Sequence, residues 1–195
     1  MTGQELLILR ITPWSGYALR RRLIPEDSSD RFLDGEEPAL DIGLAKLDFA
    51  FARKPLLIGG KAMEFYGLRK AGADVDLVVP VEDHRRLAAR YPDTLKDLWG
   101  DLGVCVHGFE IWTTICLFDY GFLAQGALEE PGFLVISMER LLFLKALAMG
   151  VEKYRKDLEL IVRKISTEKY TAWWATLDPE ERERRTKAGQ APAAP

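Results

Sequence analysis

One stretch restricts the folds open to this chain more than any other. Pro55-Leu56-Leu57-Ile58-Gly59-Gly60 is followed, one short segment later, by Asp74-Val75-Asp76-Leu77-Val78-Val79. The first run is apolar and ends in two glycines. Lys61 to Leu68 then reads as a helical turn, and the second run is rich in β-branched residues. The order is strand, glycine turn, helix, strand. Side chains two apart on a strand share a face, so Asp74 and Asp76 are expected side by side. Two like charges so placed repel unless a cation lies between them. A magnesium ion takes one or two carboxylates and completes its shell with water and substrate phosphates. A pair of solvated acids at a strand edge is the plain alternative. The glycine pair suits an ordinary tight turn and equally a turn whose backbone N–H groups, opening a helix, meet phosphate.

The rest of the chain supports a globular α/β reading. Its 195 residues, 48% hydrophobic and 29% charged, suffice for one domain with a peripheral extension. A net charge of −3 gives no global attraction to nucleic acid. No apolar run approaches the roughly 20 residues of a membrane helix, and Met1 to Glu5 does not open a secretory signal. Cys105 and Cys116 match no metal spacing, so a reducing, cytoplasmic setting is expected. Residues 1–38 form an N-terminal extension, with Leu6 to Leu9 as a strand or short helix, the basic run Arg20-Arg21-Arg22 and a polar loop from Pro25 to Glu37. Residues 39–136 are the expected α/β core: a small mixed sheet flanked by helices, entered by an amphipathic helix from Leu40 to Arg53. Val81 to Tyr91 reads as a helix with Val81, Leu87 and Ala88 inward and Glu82, Asp83, Arg85 and Arg86 outward. Val104 to Leu117 reads as one or two strands. Residues 137–185 form a helical C-terminal portion of the same domain. There Ser137 caps one helix, Gly150 interrupts, a second helix runs to about Lys164, and 167–185 is helical again, with Pro179 opening a further turn. The Pro/Ala-rich residues 186–195 read as a disordered tail.

Several side chains stand out beyond the two aspartates. Lys145 lies in Leu141-Leu142-Phe143-Leu144-Lys145-Ala146-Leu147-Ala148. A lysine there either snorkels to the surface or faces a polar cleft, and the cleft is the expectation because buried lysine needs a partner. Arg69 precedes the aspartates and is placed for a phosphate or carboxylate contact, or simply as a helix-end cation. Glu110, in Phe109-Glu110-Ile111-Trp112, is an acid among strand formers and the preferred third metal carboxylate. Asp119, in a strand end or turn, is the alternative. His84 and His107 read as surface or core histidines, and Trp173-Trp174 as helix packing. Lys156 and Asp157, read alone, are part of an exposed charged face.

These residues carry a resemblance. Gly59-Gly60-Lys61-Ala62, Tyr66-Gly67-Leu68-Arg69 and Asp74-Val75-Asp76-Leu77, with Val135 to Ala148 and Tyr154-Arg155-Lys156-Asp157-Leu158, resemble the nucleotidyltransferase superfamily with the polymerase-beta-type core. The AbiEii-like branch, which includes toxins of bacterial toxin–antitoxin pairs, has the most similar pattern, and the likeness spans about residues 39–165. It implies transfer of a nucleoside monophosphate from a nucleoside triphosphate to a hydroxyl of RNA, protein or a small molecule, with Mg2+ or Mn2+. An antitoxin protein would be a partner. It also implies metal ligation by Asp74, Asp76 and Glu110, a catalytic Lys145, and nucleotide contacts from Gly59, Gly60, Lys61, Arg69, Lys156 and Asp157. Members often carry Ser or Thr where this chain has Lys61. A catalytically silent relative that binds a nucleotide or a partner is the alternative.

Overall fold

The computed structural model describes residues 40–191. The chain divides into two units, residues 1–38 and 39–195. The sequence readings for the extension and the last four residues lie outside the described residues. Within the second unit the expected class is found: an α/β fold with a mixed sheet, flanking helices and a helical C-terminal region.

The sheet grows outward from two short central strands. β1 (Leu56–Leu57) and β2 (Val75–Val78) pair antiparallel, with Leu56 opposite Val78. Their apolar side chains are almost wholly buried, as are Val79, Ile111, Val135, Ile136 and Leu141. Strands covered on both faces read as continuous apolar runs, not alternations, which is why Leu-Leu-Ile and Leu-Val-Val mark them. Beside β2 lies β5 (Phe109–Trp112), parallel to it, then β4 (Asp101–Val106) and β3 (Leu95–Leu98), both antiparallel to their neighbours. Beside β1 lies β9 (Phe133–Val135), parallel, and then β8 (Leu128–Glu130). The order is β3-β4-β5-β2-β1-β9-β8. A separate ribbon pairs β6 (Thr114–Ile115) with β7 (Phe118–Asp119). The exposed edge strand β3 carries Lys96 and Asp97, charges that discourage edge-to-edge association.

Helices fill the connections. α1 (Gly59–Phe65) starts on the glycines themselves, and the left-handed Gly67 follows it. α2 is Val81–Arg90 and α3 is Tyr120–Leu123. α4 (Met138–Leu147) is capped by Ser137, whose hydroxyl accepts from the Arg140 N–H. α5 is Glu152–Thr176 and α6 is Pro179–Lys187, capped by Asp178. Edge-to-face rings of Trp173 and Trp174, with Arg185 over Trp173, pack α6 back on α5. Among the described residues no helix is long and apolar enough to cross a membrane.

Several local expectations are corrected. Leu40 to Arg53 holds only a 3-10 turn, Leu44–Leu47, bounded by the left-handed Gly43 and Asp48. Two left-handed residues five positions apart leave no room for a longer helix. Asp83 is not outward: it is 0% exposed, and its carboxylate accepts from the Ala52 and Arg53 N–H groups and from Arg86. The loop entering β1 needs those acceptors. Val81, expected inward, is exposed. The two helices expected around Lys164 are one, since Ile165-Ser166-Thr167 lowers helix propensity without ending the helix, and Lys164 pairs with Glu168 across it at 3.1 Å. Residues 186 and 187, expected in the tail, are the last turn of α6. His107, with Gly108, makes the two-residue β4–β5 turn, both at positive φ as such hairpins require.

His84 is a core histidine, 7% exposed, whose Nε2 has no hydrogen-bond partner. Burial depresses its pKa below the ordinary 6.5. A folded-state pKa below the unfolded one means the unfolded chain takes up the proton first. Stability from the neutral ring is therefore complete above the unfolded pKa and declines as pH falls below it. Urea denaturation between about pH 7 and pH 5 should show falling stability in the wild type and a flatter profile in His84→Leu. Equal slopes would refute a neutral buried imidazole.

Candidate functional site

Register places the acids. Asp76 on β2 stands directly beside Glu110 on the parallel strand β5, and Glu110 stands opposite Cys105 on β4. Directly paired residues of neighbouring strands share a face, so the two carboxylates lie side by side on one surface of the sheet. The same face carries Trp112 over Gly103. A Cβ added to Gly103 would lie 2.7 Å from the indole, so only glycine lets that ring lie against β4. Above this face, Leu141, Leu144, Lys145 and Ala148 recur at helical spacing along α4 and its end. Lys153 and Tyr154 open α5. Together they enclose a cavity of about 270 Å³ between sheet and helices, with Gly59 and Gly60 at one end and Asp101 and Cys116 in its lining.

The glycine turn is built around Asp76. Gly59 has φ +62, and a Cβ there would sit 1.9 Å from Asp76 Oδ2 and 2.9 Å from Asp76 Cβ. The Gly60 N–H donates to the same carboxylate. That N–H is engaged inside the protein, a role that the expected phosphate cradle did not include. Burial raises the Asp76 pKa, the Glu110 charge raises it further, and the Gly60 N–H and Lys145 offset this in part. A carboxylate whose ionisation is disfavoured by burial and by a neighbouring acid is suited to a cation.

Behind the cavity lies an ionic cluster. Asp157 on α5 is 1% exposed. Arg69 grips it with two hydrogen bonds, Nε to Oδ1 at 2.6 Å and Nη2 to Oδ2 at 2.9 Å. Lys145 Nζ lies 2.8 Å from Oδ2 and 4.6 Å from the centre of the Tyr154 ring. Burial alone would raise the Asp157 pKa; the hydrogen bonds from Arg69 and Lys145 outweigh it and hold the carboxyl below its usual range. Removing one partner of such a buried pair costs roughly 3–5 kcal/mol.

The predicted residues therefore separate into groups. Gly59, Gly60, Asp76, Glu110 and Lys145 come together on the cavity. Arg69 and Asp157 do not line it; Asp157 is the shared counter-ion of Arg69 and Lys145. Asp74 precedes β2, is exposed and does not line the cavity, although its charge also raises the Asp76 pKa. Lys61 pairs with Glu64 at 2.8 Å, and Glu64 also accepts the Ala71 N–H at 3.3 Å. Lys156 is exposed and lies 3.5 Å from Glu152. Asp119 caps α3, accepting from the Phe122 N–H at 2.8 Å. Sequence reasoning missed Asp101, Trp112, Lys153 and Tyr154. Asp101 accepts from Thr114 Oγ1 and the N–H groups of Cys116 and Leu117, fixing a loop that holds both residues at positive φ. An acid at the first position of a strand is too common a pattern to have signalled that clamp.

Among the described residues no three His, Cys, Asp or Glu side chains gather to hold a metal ion. The donor set that faces the cavity, Asp76 and Glu110, still suits a hard divalent ion, which is held by few carboxylates when phosphates and water supply the rest. Lys96, 3.5 Å from Glu110, meanwhile faces that acid from the edge strand.

The glycine seat is open to test. Gly59→Ala should destabilise the protein by more than Gly67→Ala. Both positions have positive φ, but a Cβ at Gly67 meets nothing within 4 Å. The control isolates the backbone term, and the excess, roughly 1–3 kcal/mol by urea denaturation, reports the clash with Asp76. Equal losses would show that Asp76 does not need the space.

Compared with protein-family models, with curated proteins and with solved structures, the chain matches none of them.

Proposed function

We infer that this chain is a metal-dependent nucleotidyltransferase of the polymerase-beta-type kind, with an AbiEii-like arrangement of its elements. The observation that carries the reading is the pairing of Asp76 with Glu110 on one sheet face, with Lys145 facing the same cavity. Hard-oxygen donors on one wall and a fixed cation on the other complement a divalent ion bound to a polyphosphate. In the proposed reaction an acceptor hydroxyl attacks the α-phosphorus. The bond from that phosphorus to the bridging oxygen breaks, pyrophosphate leaves, and the hydroxyl proton passes to solvent. Mg2+ or Mn2+, when bound, would neutralise charge on the phosphates. Asp76 and Glu110 would hold it, and Lys145 would bind and orient the triphosphate. Gly59 and Gly60 keep Asp76 in place. The acceptor in this reading is a hydroxyl on RNA, protein or a small molecule, in a cytoplasmic setting, and an antitoxin would be the partner if the chain acts as a toxin.

One observation favours the second reading, a relative that binds nucleotide without transfer. Asp74 does not line the cavity, and the third acid that does, Asp101, is taken up by Thr114, Cys116 and Leu117, which leaves Asp76 and Glu110 to meet a metal. The two readings part in one experiment. The protein is incubated with each labelled nucleoside triphosphate, Mg2+ and cell extract, alongside Asp76→Asn. Label transferred by the wild type and not by the variant supports the enzyme. Nucleotide bound in calorimetry without transfer to any acceptor fraction supports the binder. No metal-dependent nucleotide binding at all would overturn both.

Lys145→Met tests the cation separately. It should weaken triphosphate binding by the worth of a charged hydrogen bond, about 1.5–3 kcal/mol. Binding unchanged in calorimetry would remove Lys145 from the nucleotide site.

A further inference from the structure

Lys145 poses an electrostatic problem. It is 5% exposed and lines the cavity shared by Asp76 and Glu110. A flexible lysine facing two carboxylates in a part-buried space would be expected to pair with one of them. Such a pair would neutralise both the anion meant for a metal and the cation meant for phosphate. In the structure Lys145 instead pairs with Asp157 on α5, at 2.8 Å.

We propose that Asp157 is a positioning residue that holds the Lys145 ammonium away from Asp76, so that lysine and carboxylate both stay available to a ligand in the cavity. Asp157 is built for this. It is inaccessible to solvent, and the two bonds from Arg69 fix the carboxylate plane, leaving Oδ2 directed at Nζ. Arg69 is itself held, since its Nη1 donates to the Lys70 carbonyl at 3.0 Å. The Tyr154 ring, one turn before Asp157 on α5, faces the same ammonium. Arg69 and Lys145 bring two positive charges and Asp157 one negative, so the cluster keeps a net positive charge beside the cavity. The alternative for these contacts is a purely structural ion pair between the loop after α1 and α5. Such a pair would not couple to the carboxylates of the sheet.

This inference rests on the reading of Asp76 as a metal carboxylate, and its test separates the two. Mn2+ alone is titrated into the full-length protein by calorimetry. Asp157→Asn, which frees Lys145, should weaken Mn2+ binding by roughly ten- to a hundredfold, the range found when groups orienting metal ligands are lost. Removing the lysine as well, in Lys145→Met/Asp157→Asn, should restore it, because nothing remains to pair with Asp76. A structural role predicts the opposite: the double variant binds no better than Asp157→Asn. If Asp157→Asn does not fold, Arg69→Met/Asp157→Asn removes one charge of each sign and should show the same weakening, again reversed by Lys145→Met. The crystal structure of the variant that folds supplies the readout without metal. Nζ of Lys145 moved onto Asp76 supports the proposal, and Nζ unmoved or turned to solvent overturns it. Should the wild type itself take up no Mn2+, the metal reading fails while that crystal structure still decides the role of Asp157.

Discussion

The seat of Asp76 on the Gly59-Gly60 turn is the contact around which this molecule is arranged. β1 lies between β2 and β9, and its end must turn away at once to make α1. The turn does so at positive φ, with no side chain, directly against the carboxylate of the neighbouring strand. Any residue with a Cβ would push β1 and β2 apart, and these are buried strands at the centre of the sheet. The same contact orients the acid. A carboxylate held by a backbone N–H on one side and facing Glu110 on the other has one open direction, toward the cavity. Packing and polarity are settled by a single local geometry.

The second organising feature is electrostatic. Charged side chains with little exposure are rare unless partnered, and here Asp157 and Lys145 are both buried beside a half-exposed Arg69. Three elements contribute: the loop after α1, the end of α4 and the first turns of α5. The cluster joins the helical C-terminal region to the segment that leads into β2. A buried ion pair need not stabilise a fold more than apolar packing would. Its value lies in the position it gives each charge.

Much of the core was readable because fully covered strands leave an unmistakable pattern. Leu56-Leu57-Ile58 and Leu77-Val78-Val79 announced β1 and β2, and Ser137 and Pro179 marked the starts of two helices. Reading failed where the deciding force was not local. The Leu40 to Arg53 segment has apolar residues at near-helical spacing, yet its backbone is held by Asp83, 30 residues away or more. Asp83 looked solvent-facing because a helix wheel does not know which loop needs an acceptor. β3 has no inward face to betray it, since all four of its residues are exposed. It exists because β4 offers it a free edge.

At the site the same division holds. Residue types and their order determined that this chain has a glycine turn beside paired acids, a lysine in an apolar helix and an arginine ahead of the second strand. Those are properties of neighbours along the chain. Only the tertiary structure decided which acids meet. Asp74, two residues from Asp76, falls outside the strand, while Glu110, 34 residues further on, stands beside Asp76 because β5 runs parallel to β2 in that register. Asp157 could be read equally as a surface charge or a ligand contact. Its burial between Arg69 and Lys145 depends on how α5 packs, and spacing along one helix carries no information about cations supplied by two other elements.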